Sequence, residues 1–207
     1  MSRTSLFSVF SFAALALGLT IPAGATTVTL TTGLFSTQAG AVNTTFDSTT
    51  PGFVFSPTTS GIATGSTVNL RAAPTADTTA YAWVTTGGSI VDTFAAPVSY
   101  LGLYWGSPDT YNTLIITDVN GVATSYIPGS GLLAGLTANQ STAQYVNFFD
   151  TGAAWASVTF LSSTAAFEFD NVATIAATTT ATPEPASIAL LAGGLLVVGI
   201  KRRRKAA

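Results

Sequence analysis

Four carboxylates in the second half of the chain, Asp109, Asp118, Glu168 and Asp170, are the residues whose chemistry could break a bond. A glycoside hydrolase needs only two such groups, one as general acid and one as base or nucleophile. Asp109 paired with Asp118, Glu168 or Asp170 could supply them. The sequence holds no histidine and no cysteine. That excludes the common nucleophilic triads and zinc sites, which are built on those two residue types. No glycine-rich phosphate loop is present either, so the reading with least chemistry to explain is a protein that is not an enzyme.

A second constellation points to binding. Tyr104-Trp105-Gly106-Ser107-Pro108-Asp109-Thr110-Tyr111-Asn112 crowds aromatic and polar side chains around one turn. Aromatic faces stack on sugar rings and neighbouring Asp and Asn side chains bond hydroxyls, so Trp105, Asp109, Tyr111 and Asn112 are candidate glycan contacts. The alternative is that Trp105 and Tyr111 pack the end of a domain while Ser107 and Asp109 shape the turn. A third candidate is calcium, a hard cation that takes six to eight oxygen ligands. Asp47, early in the body, and Asp170, near its end, would have to converge with backbone carbonyls to hold a structural Ca2+; the alternative is two solvated strand ends. No other cofactor is implied.

Strands must position these groups. Thr, Val, Phe and Tyr abound, Lys and Glu are scarce, and Gly and Pro punctuate, which is the texture of an all-β chain. Residues 28–30, 53–55, 81–84, 89–94, 98–105, 113–119, 122–127, 144–149, 155–161 and 165–172 read as strands. Asp118-Val119-Asn120-Gly121 marks a hairpin, with Asn-Gly suited to positive φ. Residues 132–136 could form one helical turn. Alternation along Phe167-Glu168-Phe169-Asp170 sends the two phenylalanines to a core face and the two acids to the other, read as solvent. Many short strands without helical periodicity predict a β-sandwich or jelly roll over 26–172. Residues 173–182 are alanine and threonine apart from Ile175, without charge or aromatic, and read as a flexible, O-glycosylatable stalk.

Charge is distributed by segment. Six of the seven basic residues lie at the two ends: Arg3, then Lys201, Arg202, Arg203, Arg204 and Lys205. Between 26 and 182 only Arg71 is basic, against Asp47, Asp77, Asp92, Asp109, Asp118, Asp150, Glu168 and Asp170, a net of −7. Phosphate backbones should repel such a body, so nucleic acid is not an expected partner. The N-terminus reads as a signal peptide over 1–25: Arg3, an uncharged Leu/Phe/Ala-rich run over 6–19, then Ala23-Gly24-Ala25, the small-x-small pattern that signal peptidase cleaves after.

The C-terminal segment 183–207 begins with Pro183-Glu184-Pro185, continues as an apolar run over 186–200, and ends in the basic cluster 201–205. As a helix the run spans about 22 Å at 1.5 Å per residue, against a hydrocarbon core of about 30 Å. Snorkelling cations and a thinned bilayer would let it cross as a short, transient transmembrane helix. The basic cluster would stop it on the cytoplasmic side, leaving the body facing outward.

In order, spacing and position this segment resembles the PEP-CTERM sorting signal of Gram-negative and cyanobacterial surface proteins, a segment also catalogued as an ice-binding-protein C-terminal domain. The resemblance implies that a membrane-embedded protease, exosortase, reads the motif and removes the tail. It also implies that the body passes from an inner-membrane-tethered intermediate to the outer surface or the exopolysaccharide matrix. The Tyr-Trp-Gly-Ser, Tyr145-Val146-Asn147-Phe148 and Phe169-Asp170-Asn171-Val172 stretches are similar to landmarks of one group of such surface proteins, and hand over no catalytic residue. The expectation is a structural or adhesive surface protein that binds exopolysaccharide, with a secreted polysaccharide hydrolase as the alternative.

Overall fold

The computed structural model describes residues 26–178 except positions 49, 51, 137–141 and 165. The signal-peptide residues, the sorting segment and residues 179–182 of the expected stalk lie outside the described residues. Eleven strands follow one another: β1 (Thr27–Thr31), β2 (Val42–Thr44), β3 (Phe53–Phe55), β4 (Ser60–Ala63), β5 (Tyr81–Val84), β6 (Ser89–Trp105), β7 (Asn112–Asp118), β8 (Ala123–Tyr126), β9 (Gln144–Phe149), β10 (Trp155–Ser162) and β11 (Phe167–Ala176). The helical turn expected over 132–136 is a single 3-10 turn, Gly131–Leu133. Among the described residues no helix is long and apolar enough to cross a membrane. Apart from that 3-10 turn, the regular structure of the described residues is all-β, as the composition predicts.

β6 organises the fold, because its two halves pair with different strands. Residues 89–93 lie between β3 and β10, and β10 continues to β7 and β8. Residues 100–105 lie between β9 and β11, with β1 beyond β9 and β2 and β5 on the far side of β11. All pairings are antiparallel. The sequence reads as two strands here, since Pro97 has no N–H to give a ladder. The structure runs one strand through it, with β3 giving way to β11 between Asp92 and Val98 and β10 giving way to β9 between Val98 and Tyr100.

The two halves face each other across a hydrophobic core, an arrangement consistent with a β-sandwich. Phe160 of β10 stacks on Phe169 of β11 with ring centroids 3.8 Å apart, although these strands do not pair with each other. Trp105 stacks on Phe167 at 4.3 Å, and Phe46 packs edge-on to Phe169 at 5.5 Å. All of these rings are buried, so each contributes about 25 cal/mol per Å² of apolar surface withdrawn from water.

Two expectations are corrected by β11. The stalk was to begin at 173, but the strand continues to Ala176 and pairs residues 172–174 with β2 and 173–176 with β6. Ala173 is buried in a cluster with Tyr100, Tyr104 and Tyr145. The second correction concerns Glu168 and Asp170. Phe167 and Phe169 do face the core, and the two acids do take the other face, but that face is not solvent. Glu168 is 2% exposed and Asp170 0%. Residues 66–80 and the Phe46-Asp47 corner lie over them: Ala72 and Phe46 donate backbone N–H groups to Glu168 and Asp170, and Thr79 donates its hydroxyl to Asp170.

Candidate functional site

The covering segment and the loop after β6 enclose a cleft of about 390 Å³. One wall is the turn over residues 66–72, closed by backbone bonds from Thr67 to Arg71 and from Leu70 and Arg71 back to Thr67. The other wall is Ser107, Asp109 and Tyr111, with Glu168 and Ala166 of the β11 end completing the lining. Gly106 lets the chain leave β6 closely: a Cβ there would collide with Pro74 and the Glu168 carbonyl, to which Gly106 N–H donates at 2.8 Å.

Glu168 sits at the base with both carboxyl oxygens occupied. Oε1 accepts Ala72 N–H at 2.7 Å, and Oε2 accepts the Ser107 hydroxyl. Burial disfavours its charged form more than these bonds favour it, so its pKa is pushed up to about 7. Asp109 lies on the opposite wall, with Oδ2 accepting the Tyr111 hydroxyl at 2.6 Å. Burial raises its pKa as well, against the lowering effect of that bond. Both carboxyls are therefore more easily protonated than ordinary ones. Val68 and Leu70 add apolar surface, and Val68 is 88% exposed at the tip of the turn. Arg71 completes the lining, its guanidinium 5.2 Å from the Trp83 ring centroid.

Of the four glycan candidates, the structure brings Asp109 and Tyr111 to the cleft and withdraws the other two. Trp105 is fully buried on Phe167. Asn112 is fully buried too, donating Nδ2 to the Ser107 carbonyl at 2.8 Å and accepting the Ser162 hydroxyl at 3.3 Å. Both are packing residues because their positions at the ends of β6 and β7 point inward. Asp118 belongs to the β7–β8 hairpin, where Oδ1 accepts the N–H groups of Asn120 and Val122 at 2.8 Å and Gly121 takes φ +81°. These bonds hold its carboxyl below the usual range. It is a turn residue, and the hairpin forms where the Asn-Gly pair places it.

Asp47 and Asp170 occupy neighbouring segments without sharing a visible ligand point. Asp47 Oδ1 accepts Ala80 N–H at 2.9 Å. Asp170 faces Asp77, itself bonded to Thr79, and burial together with the facing Asp77 carboxyl raises the Asp170 pKa to about 8, while Asp77 is lowered. Of the two, Asp170 is therefore the one that takes up a proton more readily. Among the described residues no group of three or more His, Cys, Asp or Glu converges on a point where a metal would sit. Sequence reasoning nominated Glu168 only as a carboxylate among others and missed Arg71 as a site residue. The signal for Arg71 was its isolation as the one cation of an acidic body. Ala23, Ala25, Pro183, Glu184, Pro185 and the basic residues 201–205 lie outside the described residues.

No curated protein matches the chain in sequence. Among solved structures, the K2 cleaved adhesin domain of Lys-gingipain is similar at 13% identity and TM-score 0.43, over 65% of this chain and 98% of that one. Residues 181–205 match the PEP-CTERM protein-sorting motif. The chain thus carries a PEP-CTERM motif at its C-terminal end, which implies processing by exosortase, export, and sorting to the cell surface.

Proposed function

We propose that the exported body is a glycan-binding module of the cell surface or exopolysaccharide matrix, structural or adhesive in role, and that the cleft between residues 66–72 and 107–111 is its binding site. On this reading signal peptidase and exosortase remove the two ends, the C-terminal helix serves only as a passing membrane tether, and exopolysaccharide is the lasting partner. The observation that carries the reading is the joining of Asp109 and Tyr111 on one wall of a cleft that also offers Val68 and Leu70. A pyranose presents apolar C–H faces and a rim of hydroxyls. A site for it therefore needs apolar surface beside a few fixed polar groups, in a volume of roughly 300 Å³ or more.

The hydrolase alternative has one observation in its favour: Asp109 and Glu168 line the same cleft, and a carboxyl with a pKa near 7 suits a general acid. Against it, Glu168 is 2% exposed and both its oxygens are engaged by Ala72 and Ser107. A general acid must reach the leaving oxygen within hydrogen-bond distance, and Glu168 would have to break two bonds first. Binding is the better-supported function. A panel of neutral and acidic oligosaccharides, assayed for both retention and hydrolysis, tests it. The expected result is binding without turnover, weakened about tenfold or more by Tyr111→Ala. Turnover abolished by Glu168→Gln would replace this reading with the hydrolase.

A further inference from the structure

Arg71 carries the only positive charge between residues 26 and 182, and the fold places it in the cleft wall. Among the described residues its side-chain partners are the Trp83 ring and the Tyr81 hydroxyl. Both are neutral, since burial raises the Tyr81 pKa further above its ordinary value. Its Nε is buried and has no hydrogen-bond partner. A guanidinium with five donors in a planar fork, desolvated on one face by a tryptophan, is the usual receiver of a carboxylate or sulfate.

The acids around it do not answer that charge. Glu168 spends its oxygens on Ala72 and Ser107, and Asp109 is engaged by Tyr111. Both carboxyls have raised pKa values, so they are neutralised more readily than ordinary ones while Arg71 stays charged. Charges elsewhere on the acidic body act on a bound ligand only weakly, because the Debye length at physiological salt is about 8 Å.

We propose that the cleft selects an anionic sugar, with the Arg71 fork receiving the ligand's carboxylate or sulfate and Asp109 and Tyr111 receiving its hydroxyls. The inference rests on the glycan-binding reading above and sharpens it to a ligand class. Uronate-rich and sulfated polysaccharides are the two sources of that chemistry.

Binding of the exported protein to oligogalacturonate, a sulfated galactan and a neutral glucan, each by calorimetry at pH 6, tests it. At least one anionic ligand should bind ten times more tightly than the glucan, and the two anionic arms say which group Arg71 takes. Arg71→Met should weaken that binding about ten- to a hundred-fold, the usual worth of a charge-assisted bidentate contact. Arg71→Lys, which keeps the charge and loses the fork, should weaken it less. Because Arg71 also packs on Trp83, a second measurement guards against simple misfolding: Arg71→Met should keep its weaker binding of the neutral glucan unchanged while its anionic binding falls. Equal or better binding of the neutral glucan, or anionic binding indifferent to Arg71→Met, overturns the inference and leaves the glycan-binding module standing. Absence of binding to any member of a wide glycan panel overturns both.

Discussion

Replacing Glu168 by Gln should invert the usual cost of altering a buried polar residue once the pH is raised. A carboxyl has a pKa of about 4.3 in an unfolded chain, and burial lifts that of Glu168 to about 7 in the fold. The folded protein thus holds a proton that the unfolded chain gives up between these values. Stability from this group is complete below about pH 4 and is lost as pH rises through 7, at about 1.4 kcal/mol per pH unit. Over that span the loss is ~4 kcal/mol, a large part of the 5–15 kcal/mol that holds an ordinary domain together. No allowance for solvent screening is needed, since the residue is 2% exposed. A glutamine has no proton to lose. Its amide oxygen can accept from Ala72 N–H, and its NH2 can donate to the Ser107 oxygen. Urea denaturation of wild type and Glu168→Gln at pH 4, 6 and 8 measures the effect. The variant should gain on the wild type by ~4 kcal/mol between pH 4 and pH 8, while itself keeping a residual slope from Asp92 and Asp170, raised to about 6 and about 8 chiefly by burial. A stability difference that is the same at pH 4 and pH 8 would refute the reasoning. So would a variant that loses ground as pH rises, because either result means the carboxylate is comfortably ionised in the fold.

Trp105→Ala should cost about 3–5 kcal/mol of folding stability by emptying the space on Phe167, with glycan affinity of the folded fraction unchanged; selective loss of binding in a protein of normal stability would return Trp105 to the site. Gly102→Ala should cost about 1–3 kcal/mol and lower Tm, since the added Cβ meets the hydroxyls of Tyr100 and Tyr145. An unchanged Tm would mean that these two side chains yield without strain.

How far the fold could be read in advance follows from which interactions are local. A strand's alternation is local, and the Phe167-Glu168-Phe169-Asp170 pattern correctly assigned each side chain to its face. What lies over a face is decided by residues far away in sequence. Residues 66–80 carry no periodicity that announces a cover, yet their Ala72 N–H and Thr79 hydroxyl meet Glu168 and Asp170 across more than ninety positions. The same limit explains the stalk error. Alanine, threonine and one isoleucine over 173–176 look featureless alone, but Ala173 is buried in a cluster with three tyrosines far from it in sequence. The hairpin at Asp118 was legible because its bonds span only two to four residues.

The candidate site shows the limit most sharply. Composition had already isolated Arg71 as the body's single cation, and the Tyr104–Asn112 stretch had already gathered Asp109 and Tyr111. Nothing local joined the two, because the turn at 66–72 is tied to the 107–111 loop through Glu168, which bonds Ala72 on one side and Ser107 on the other. A buried carboxyl that costs stability whenever it ionises is an expensive way to tie two loops, and an apolar contact would hold them without that cost. Its retention is understandable if the tie must also present a neutral, hydrogen-bonded floor to whatever Arg71 receives, and that is the relation the pH series and the Arg71 variants examine from opposite sides.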